Sequence, residues 1–214
     1  MKPIFLTIIL LTSSFSFCQN KKEILSDIHN KYQVIKELMS KDALRQYNTG
    51  YTFNISYKKS PLTFYYNGNE LKYIEHIYTW GHTTYKDEFY VWDDQLFFQY
   101  TTQVIRYKDY RKKGVIKSDV KNITLTLEDR FYFKNRKAIK CQFKSFQNHN
   151  DSIKITTHRV RNITTECDLA ENVLEKFDIL KKLQAKEVES AKELPKSISK
   201  TYQPNLNHTA FQQN

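Results

Sequence analysis

Residues 62–106 read LTFYYNGNELKYIEHIYTWGHTTYKDEFYVWDDQLFFQYTTQVIR and carry the strongest structural signal in this chain of 214 residues. The stretch is rich in Tyr, Phe, Ile and Thr, and its apolar and polar side chains alternate with a period of two, which is typical of strands. Asn67-Gly68 is the clearest turn signal, because this pair favours a two-residue β-hairpin. The stretch therefore predicts consecutive antiparallel strands joined by tight turns.

The same pattern continues on both sides of this stretch. Asp93-Asp94 and Asn135-Arg136 are further predicted turns, and the glycines, including Gly50, fall between predicted elements. Short connections favour an antiparallel meander, since parallel strands need long crossovers. The predicted strands are 52–58, 62–67, 70–80, 85–93, 96–106, 120–134, 137–146 and 152–162.

Amphipathic helices are predicted on both sides of the strands. Apolar residues recur at three- and four-residue spacing from Asn20 to about Gln46, and again from about Glu166 to Val188, where Thr165 and Asp168 resemble a capping box. We therefore expect an α+β domain with an N-terminal helix, a curved antiparallel meander sheet of about seven or eight strands, and a C-terminal helix packed on one face. One face of the sheet is expected to pack on the helices.

The first residues have the layout of a secretory signal peptide. Lys2 gives a positive start, an apolar run covers 4–11, and Ser16-Phe17-Cys18 places small residues three and one before a cut. The apolar run is too short to span a bilayer, and no later segment is apolar enough. We expect residues 1–18 to be removed and the protein to be periplasmic or secreted, with no transmembrane segment in the mature chain.

The mature chain is predicted to start at Gln19 and to form a single domain over 19–194. The tail, 195–214, is polar and rich in Asn and Gln, which predicts disorder. Cys18 leaves with the leader, so Cys141 and Cys167 remain and are expected to form a disulfide in an oxidising compartment. Zinc is disfavoured, since neither cysteine has the spacing of a zinc site.

Net positive charge favours an anionic partner. The formal net charge is +11, and loss of the leader removes only one basic residue. Nucleic acid, lipid head groups, acidic polysaccharide and acidic proteins all fit this charge, but so does simple solubility. Arg111, Lys112 and Lys113 lie in a basic segment around Gly114 and are candidate anion-binding residues. The alternative is a solvated hairpin tip whose charges discourage edge pairing.

Aromatic side chains fall on both faces of the central predicted strands. Trp80, Tyr90 and Trp92 are the candidate ligand-binding residues, since rings exposed on a sheet stack on sugars, bases or partner side chains. The alternative is a strongly curved sheet that buries both of its faces against itself.

No catalytic residue, metal site or cofactor is predicted. The chain has no Gly-x-Ser-x-Gly elbow and no phosphate loop. A metal site at His76 and Glu75 is disfavoured, because neighbours on a strand point to opposite faces. Adjacent carboxylates fail as an acid–base pair for the same reason, whereas a pairing between carboxylates distant in sequence stays open.

Three segments carry a resemblance. LTFYYNGNELKYI, EFYVWDDQLFFQY and DRFYFKNRKAIKC resemble small exported proteins of the Bacteroidota, in which an aromatic pair, a turn and an apolar return strand repeat. The resemblance covers roughly residues 51–146, implies a fold and a compartment, and carries over no catalytic residues. We expect a non-catalytic exported module that binds a glycan, a peptide or an envelope partner. The alternatives are a periplasmic immunity or enzyme-inhibitor protein and, third, a hydrolase.

Overall fold

The computed structural model describes residues 3–52, 59–108, 122–149 and 157–183, with side chains for 21–49, 61–79, 81–108, 122–148 and 157–183. Within these ranges no helix has both the length and the apolar character needed to cross a membrane. The elements are α1 (Pro3–Ser40), β1 (Arg45–Thr52), β2 (Lys59–Asn67), β3 (Glu70–Trp80), β4 (Thr83–Trp92), β5 (Gln95–Lys108), β6 (Asn122–Lys134), β7 (Lys137–His149), β8 (Ile163–Thr165) and α2 (Ala170–Leu183).

The eight strands form one sheet in the order β1 to β8, and every neighbouring pair is antiparallel. This confirms the predicted α+β meander. The predicted turns at Asp93-Asp94 and Asn135-Arg136 are also confirmed, whereas the turn predicted at Asn67-Gly68 lies one residue later, at Gly68-Asn69, because Asn67 pairs with Glu70. Asp93, Asp94, Asn135 and Arg136 all have positive φ angles, as both central residues of a type I′ hairpin turn require.

Helix α1 ends at Ser40, earlier than the predicted end near Gln46. The chain turns at Asp42, whose φ of 51° lies in the left-handed region, which Asp adopts more readily than most residues. The N–H of Ala43 donates to the carbonyl oxygen of Leu38 at 2.9 Å, which is the bond that closes a Schellman motif. The helix prediction was therefore wrong by several residues, because an aspartate ends the helix where glycine is the usual signal.

Strand β1 takes the place of the predicted helix end. It covers Arg45–Thr52, so Gly50 lies inside a strand, opposite Pro61 on β2, and not between elements as predicted. Of the predicted strand 52–58, residues 53–58 lie outside the described part of the chain.

The predicted strand 152–162 was wrong in its described part. Residues 157–159 form a 3-10 turn, and the strand that pairs with β7 is the following segment, Ile163–Thr165. Residues 152–156 lie outside the described part.

Helix α2 starts at Ala170, so Thr165 and Asp168 lie before it and do not form its capping box. The N–H of Ala170 donates to the carbonyl oxygen of Cys167 at 2.9 Å. Cys167 therefore precedes the helix and is not in its first turn. The predicted continuation to Val188 and the tail 195–214 lie outside the described residues.

The two helices pack on opposite faces of the sheet, which corrects the expectation that one face packs on both. Phe89 belongs to the cluster that contains Phe177 of α2, whereas its neighbour Tyr90 belongs to the cluster that contains Ile28 of α1. Adjacent strand residues point to opposite faces. We call the face under α2 the core face and the face under α1 the tyrosine face.

The core face holds the larger apolar cluster. Its fully or nearly fully buried strand residues include Leu62, Phe64, Ile74, Phe89, Val91, Phe131 and Phe133, and α2 contributes Ala170, Val173, Phe177, Leu180 and Leu183.

Strand β7 departs from regular alternation. Cys141 packs with the core-face cluster, but Ile139, two residues earlier, packs with the tyrosine-face cluster. A register shift between Tyr132 and Phe133 places Ala138 opposite Phe133 and displaces Ile139. Lys144, on the same strand, is only 4% exposed.

Cys141 on β7 and Cys167 before α2 form the predicted disulfide, with Cα atoms 5.5 Å apart, a normal separation for a disulfide. The bond therefore fastens the segment that leads into α2 to the sheet.

A polar cluster lies beneath α2 on the core face, and we call it the buried lysine cluster. Lys176 Nζ lies 2.5 Å from Asp87 Oδ2, and both side chains are 0% exposed. The Thr101 hydroxyl donates to Asp87 Oδ1 at 2.7 Å, and Lys176 Nζ donates to the Tyr78 hydroxyl oxygen at 3.2 Å. His76 lies opposite Asp87 in register and stacks on Tyr78 at 4.6 Å between ring centroids.

The burial of His76 is expected to make the stability of the fold sensitive to acid. Burial lowers the pKa of His76 well below its ordinary value of 6.5, and the Lys176 ammonium lowers it further. The unfolded chain therefore takes up a proton that the folded protein excludes, so stability is full above about pH 6.5 and falls below it. The expected loss is up to about 1.4 kcal/mol per pH unit.

Urea denaturation between about pH 5 and pH 7.5 measures this slope. This pH range lies above that in which ordinary carboxylates titrate. The variant His76→Gln is expected to have a shallower slope than the wild type. Equal slopes in the two proteins would contradict the account of His76.

Candidate ligand-binding face

An aromatic row crosses the tyrosine face from β2 to β6. Its members are cross-strand partners: Tyr65 faces Tyr73, Tyr73 faces Tyr90, Tyr90 faces Phe98, and Phe98 faces Tyr132. The centroids of successive rings lie 5.0, 4.9, 5.4 and 5.0 Å apart, which is the usual spacing of interacting aromatic rings. The row is therefore continuous.

Helix α1 lies against this row. Tyr32 places its ring 5.0 Å from that of Tyr90 and 5.5 Å from that of Phe98. Ile28 and Ile35, from the same helix, are 3% and 0% exposed. Helix α1 therefore covers the face that the sequence left open as a binding surface.

A cavity of about 190 Å³ remains between α1 and the sheet. Its walls combine apolar and aromatic side chains with one guanidinium, a combination typical of small-molecule sites. The lining residues are Ile28, His29 and Tyr32 of α1, and Phe98, Arg130 and Tyr132 of the sheet.

Contacts on three sides hold Arg130 in place at the cavity wall. Its terminal nitrogens donate to Glu128 Oε2 at 2.7 Å and to Asn162 Oδ1 at 2.6 Å. Its guanidinium also lies 4.7 Å from the ring centroid of Tyr100. A fixed guanidinium loses little conformational entropy when a ligand binds, so Arg130 is a preorganised donor.

Glu128 anchors a second set of bonds beside the cavity. It accepts a hydrogen bond from the Thr157 hydroxyl at 2.6 Å and pairs with Lys144 Nζ at 3.1 Å. Burial alone would raise the pKa of Glu128, but hydrogen bonds from Thr157, Tyr100, Arg130 and Lys144 together lower it. Glu128 is therefore a charged structural anchor for Arg130.

A polar row runs parallel to the aromatic row, one step further along the strands. Glu75 faces Glu88, Glu88 faces Tyr100, and Tyr100 faces Arg130. The row connects two carboxylates on β3 and β4 to the guanidinium at the cavity wall.

Lys86 bridges the two carboxylates of this row. Its Nζ lies 2.8 Å from Glu75 Oε2 and 3.5 Å from Glu88 Oε1. Burial lowers the pKa of Lys86, but its hydrogen bonds and attraction to the two carboxylates outweigh this and raise it. A retaining glycosidase holds the scissile bond between its carboxyl groups, whereas here an ammonium takes that place. The geometry is that of a charged, hydrogen-bonding surface.

Two tyrosines of the aromatic row place their hydroxyl groups against the Glu88 carboxylate. The Tyr73 hydroxyl donates to Glu88 Oε1 at 2.7 Å, and the Tyr90 hydroxyl lies 3.3 Å from the same oxygen. Burial, and then the negative charge of Glu88, raises the pKa of both tyrosines far above the ordinary value. Both hydroxyls therefore keep their protons and act as donors.

Of the residues predicted to bind ligand, the structure describes the side chains of Tyr90 and Trp92, which pack in the same cluster. Trp92 is half-buried, with the Lys72 ammonium 4.0 Å from its ring centroid, and Tyr90 is only 1% exposed under α1. The backbone of Trp80 stands opposite Thr83, at the other end of β4 from Trp92, and its side chain is outside the described set. Arg111, Lys112 and Lys113 also lie outside the described residues. A role for these residues in binding stays a prediction.

Arg130, Tyr132 and His29 line the cavity, but sequence reasoning did not select them. Glu75 was considered only as a metal ligand, although Glu75 and Glu88 lie at equal distances from the turn at Gly81-His82, a spacing that predicts a cross-strand pair. Among the described residues, no group of three metal-ligating side chains converges.

No protein-family model, curated protein or solved structure matches this chain. The geometry of the tyrosine face is therefore the basis on which a function is proposed.

Proposed function

We propose that this protein is an exported, non-catalytic binding module for a glycan, with one sugar unit held in the cavity between α1 and the sheet. The leader-like layout of residues 1–18 supports export, and the disulfide is compatible with an oxidising compartment. The described α1 residues that pack on the sheet, from Ile24 to Met39, all follow the predicted cut. Removal of the leader therefore leaves the cavity wall in place.

The observation that carries the proposal is an aromatic cavity with a fixed guanidinium in its wall. Its volume of about 190 Å³ is below the roughly 300–1,000 Å³ typical of pockets for drug-sized ligands. One ring of a longer ligand suits this volume, with the rest of the ligand lying across the neighbouring surface.

The surrounding groups match the chemistry of a sugar. The C–H face of a sugar ring packs on aromatic rings such as Phe98 and Tyr132. Sugar hydroxyls accept hydrogen bonds from a guanidinium such as that of Arg130. Beyond the cavity, Glu75 and Lys86 have side chains that are 21% and 40% exposed. They supply an acceptor and a donor to the hydroxyls of a neighbouring unit.

The test is a glycan array, with peptides printed on the same surface, probed with the wild type and the variant His29→Trp. His29 is exposed and lines the cavity mouth, so an indole at this position blocks entry without removing a buried contact. We expect the wild type to bind a set of glycans and His29→Trp to bind them at least about tenfold more weakly, a loss of about 1.4 kcal/mol.

The matched control is His82→Trp, which introduces the same indole at an exposed histidine in the turn between β3 and β4. It is expected to bind like the wild type. The proposal is contradicted if the array shows only peptide binding, or if His29→Trp and His82→Trp bind glycans equally well.

A further inference from the structure

The buried lysine cluster contains an amine and a carboxyl group held together away from solvent. Lys176 Nζ and Asp87 Oδ2 are 2.5 Å apart, and neither side chain has any exposed surface. Lys176 comes from the middle of α2 and Asp87 from the middle of β4, so the contact joins the helix to the sheet.

A charged pair is costly at this position. Removal of two opposite charges from water costs several kcal/mol for each ion, and their attraction offsets this only with good geometry and further hydrogen bonds. Aromatic rings lie against the pair, beside the Thr101 and Tyr78 hydroxyl groups that bond to it. The Tyr78 ring centroid is 4.3 Å from Lys176 Nζ, and the Tyr85 ring stacks on Tyr78 at 4.8 Å.

We propose that Lys176 and Asp87 become joined by an intramolecular amide bond between Nζ and Cγ. This inference is independent of the proposed glycan binding, since it concerns the opposite face of the sheet. It assigns a covalent modification site that would link α2 to β4, in addition to the link between Cys167 and Cys141 on β7.

The reaction balances with no other reactant. A proton moves from Nζ to Oδ2 and gives a neutral amine and a carboxylic acid. The nitrogen lone pair then attacks Cγ, the nitrogen loses a second proton, and Oδ2 takes up that proton and leaves as water. One C–N bond forms, one C–O bond breaks, and no atom is oxidised or reduced.

The neighbouring groups favour each step. Burial lowers the pKa of Lys176, although Asp87 opposes this, so burial favours the neutral amine that attacks. The Thr101 hydroxyl donates to Asp87 Oδ1 at 2.7 Å, where negative charge develops during attack. The second proton passes from the nitrogen to Oδ2, the oxygen that lies 2.5 Å from Nζ in the unreacted pair.

The fixed contact between the two groups accelerates amide formation, and the site closed to solvent protects the amide from hydrolysis. Two groups held in reactive contact behave as if present at an effective concentration of about 10⁵–10⁸ M. A site closed to solvent also limits the return of the released water, which is the reactant of hydrolysis.

A second buried pair provides an internal contrast. Lys144 Nζ is 3.1 Å from Glu128 Oε2, and both side chains are at most 5% exposed. Arg130 and Thr157 also donate to Glu128, and its lowered pKa keeps it a carboxylate, which is unreactive toward an amine. We therefore expect an amide at Lys176 and Asp87, and none at Lys144 and Glu128.

The test is peptide mapping by mass spectrometry of the purified full chain after reduction, alkylation and trypsin digestion. Trypsin does not cleave after an acylated lysine. The expected product is therefore residues 87–106 joined to residues 162–181, with a mass lower than the sum of the two peptides by one water. Efficient cleavage after Lys176, with residues 87–106, 162–176 and 177–181 found as separate peptides at full mass, would overturn the proposal.

Two variants locate the bond. Asp87→Ala is expected to restore cleavage after Lys176 and the full intact mass, whereas Lys144→Met is expected to keep the loss of one water. If Asp87→Ala does not fold, the wild-type peptide map still decides the question. A loss of water that persists in Asp87→Ala places the modification elsewhere and refutes the assignment.

Discussion

The variant Lys176→Met is expected to unfold with a free energy about 3–5 kcal/mol lower than that of the double variant Lys176→Met/Asp87→Leu. The single variant leaves the Asp87 carboxyl group in an apolar site without its cation, at 0% exposure. The double variant replaces both groups with apolar side chains of similar size, which removes the desolvation cost as well as the attraction.

Urea denaturation of the two variants measures this difference. Neither variant can form the proposed amide, so the comparison reports only the cost of the isolated buried carboxyl group. Thr101→Val in the double-variant background is a useful control, since Thr101 donates to Asp87 in the wild type. Equal stability of the single and double variants would contradict the described burial of the pair.

Loss of the disulfide is expected to lower the free energy of unfolding by about 3–4 kcal/mol in the chain-entropy model. The two cysteines are separated by 26 positions, and that loop length gives this magnitude. The variant Cys141→Ala/Cys167→Ala should show the loss, because Cys141 is only 2% exposed and alanine avoids a new buried polar group.

Urea denaturation with and without a reducing agent separates the disulfide from its neighbours. The reducing agent should destabilise the wild type by a similar amount and leave the double-alanine variant unchanged. A wild type that unfolds at the same urea concentration in both conditions would show that the disulfide does not stabilise the fold.

The sheet could be predicted from sequence because its turns are local signals. Asn67-Gly68, Asp93-Asp94 and Asn135-Arg136 tolerate positive φ angles, and period-two alternation on both sides supports a hairpin. The end of α1 was missed because Asp42 occupies the left-handed position that glycine usually marks. One aspartate at a position where glycine is usual was therefore enough to place the predicted end of α1 several residues too late.

Only part of the candidate site could be predicted. The register of Glu75 and Glu88 follows from the tight turn between them, so their pairing was accessible from sequence. Tyr100 and Arg130 are brought together across a long connection, whose length leaves the register open. Local alternation predicts the two faces of each strand but not which helix packs on which face. The burial of Tyr90 under α1 could therefore not be predicted.

The most direct test of the central claim is to map a bound glycan by NMR chemical shifts at low and high salt. We predict that the shifts centre on Ile28, Tyr32 and Tyr132, and that affinity changes little with salt, because ring stacking does not depend on net charge. Shifts that centre on residues 111–113 and an affinity that falls steeply with salt, as counterion competition requires, would contradict the account.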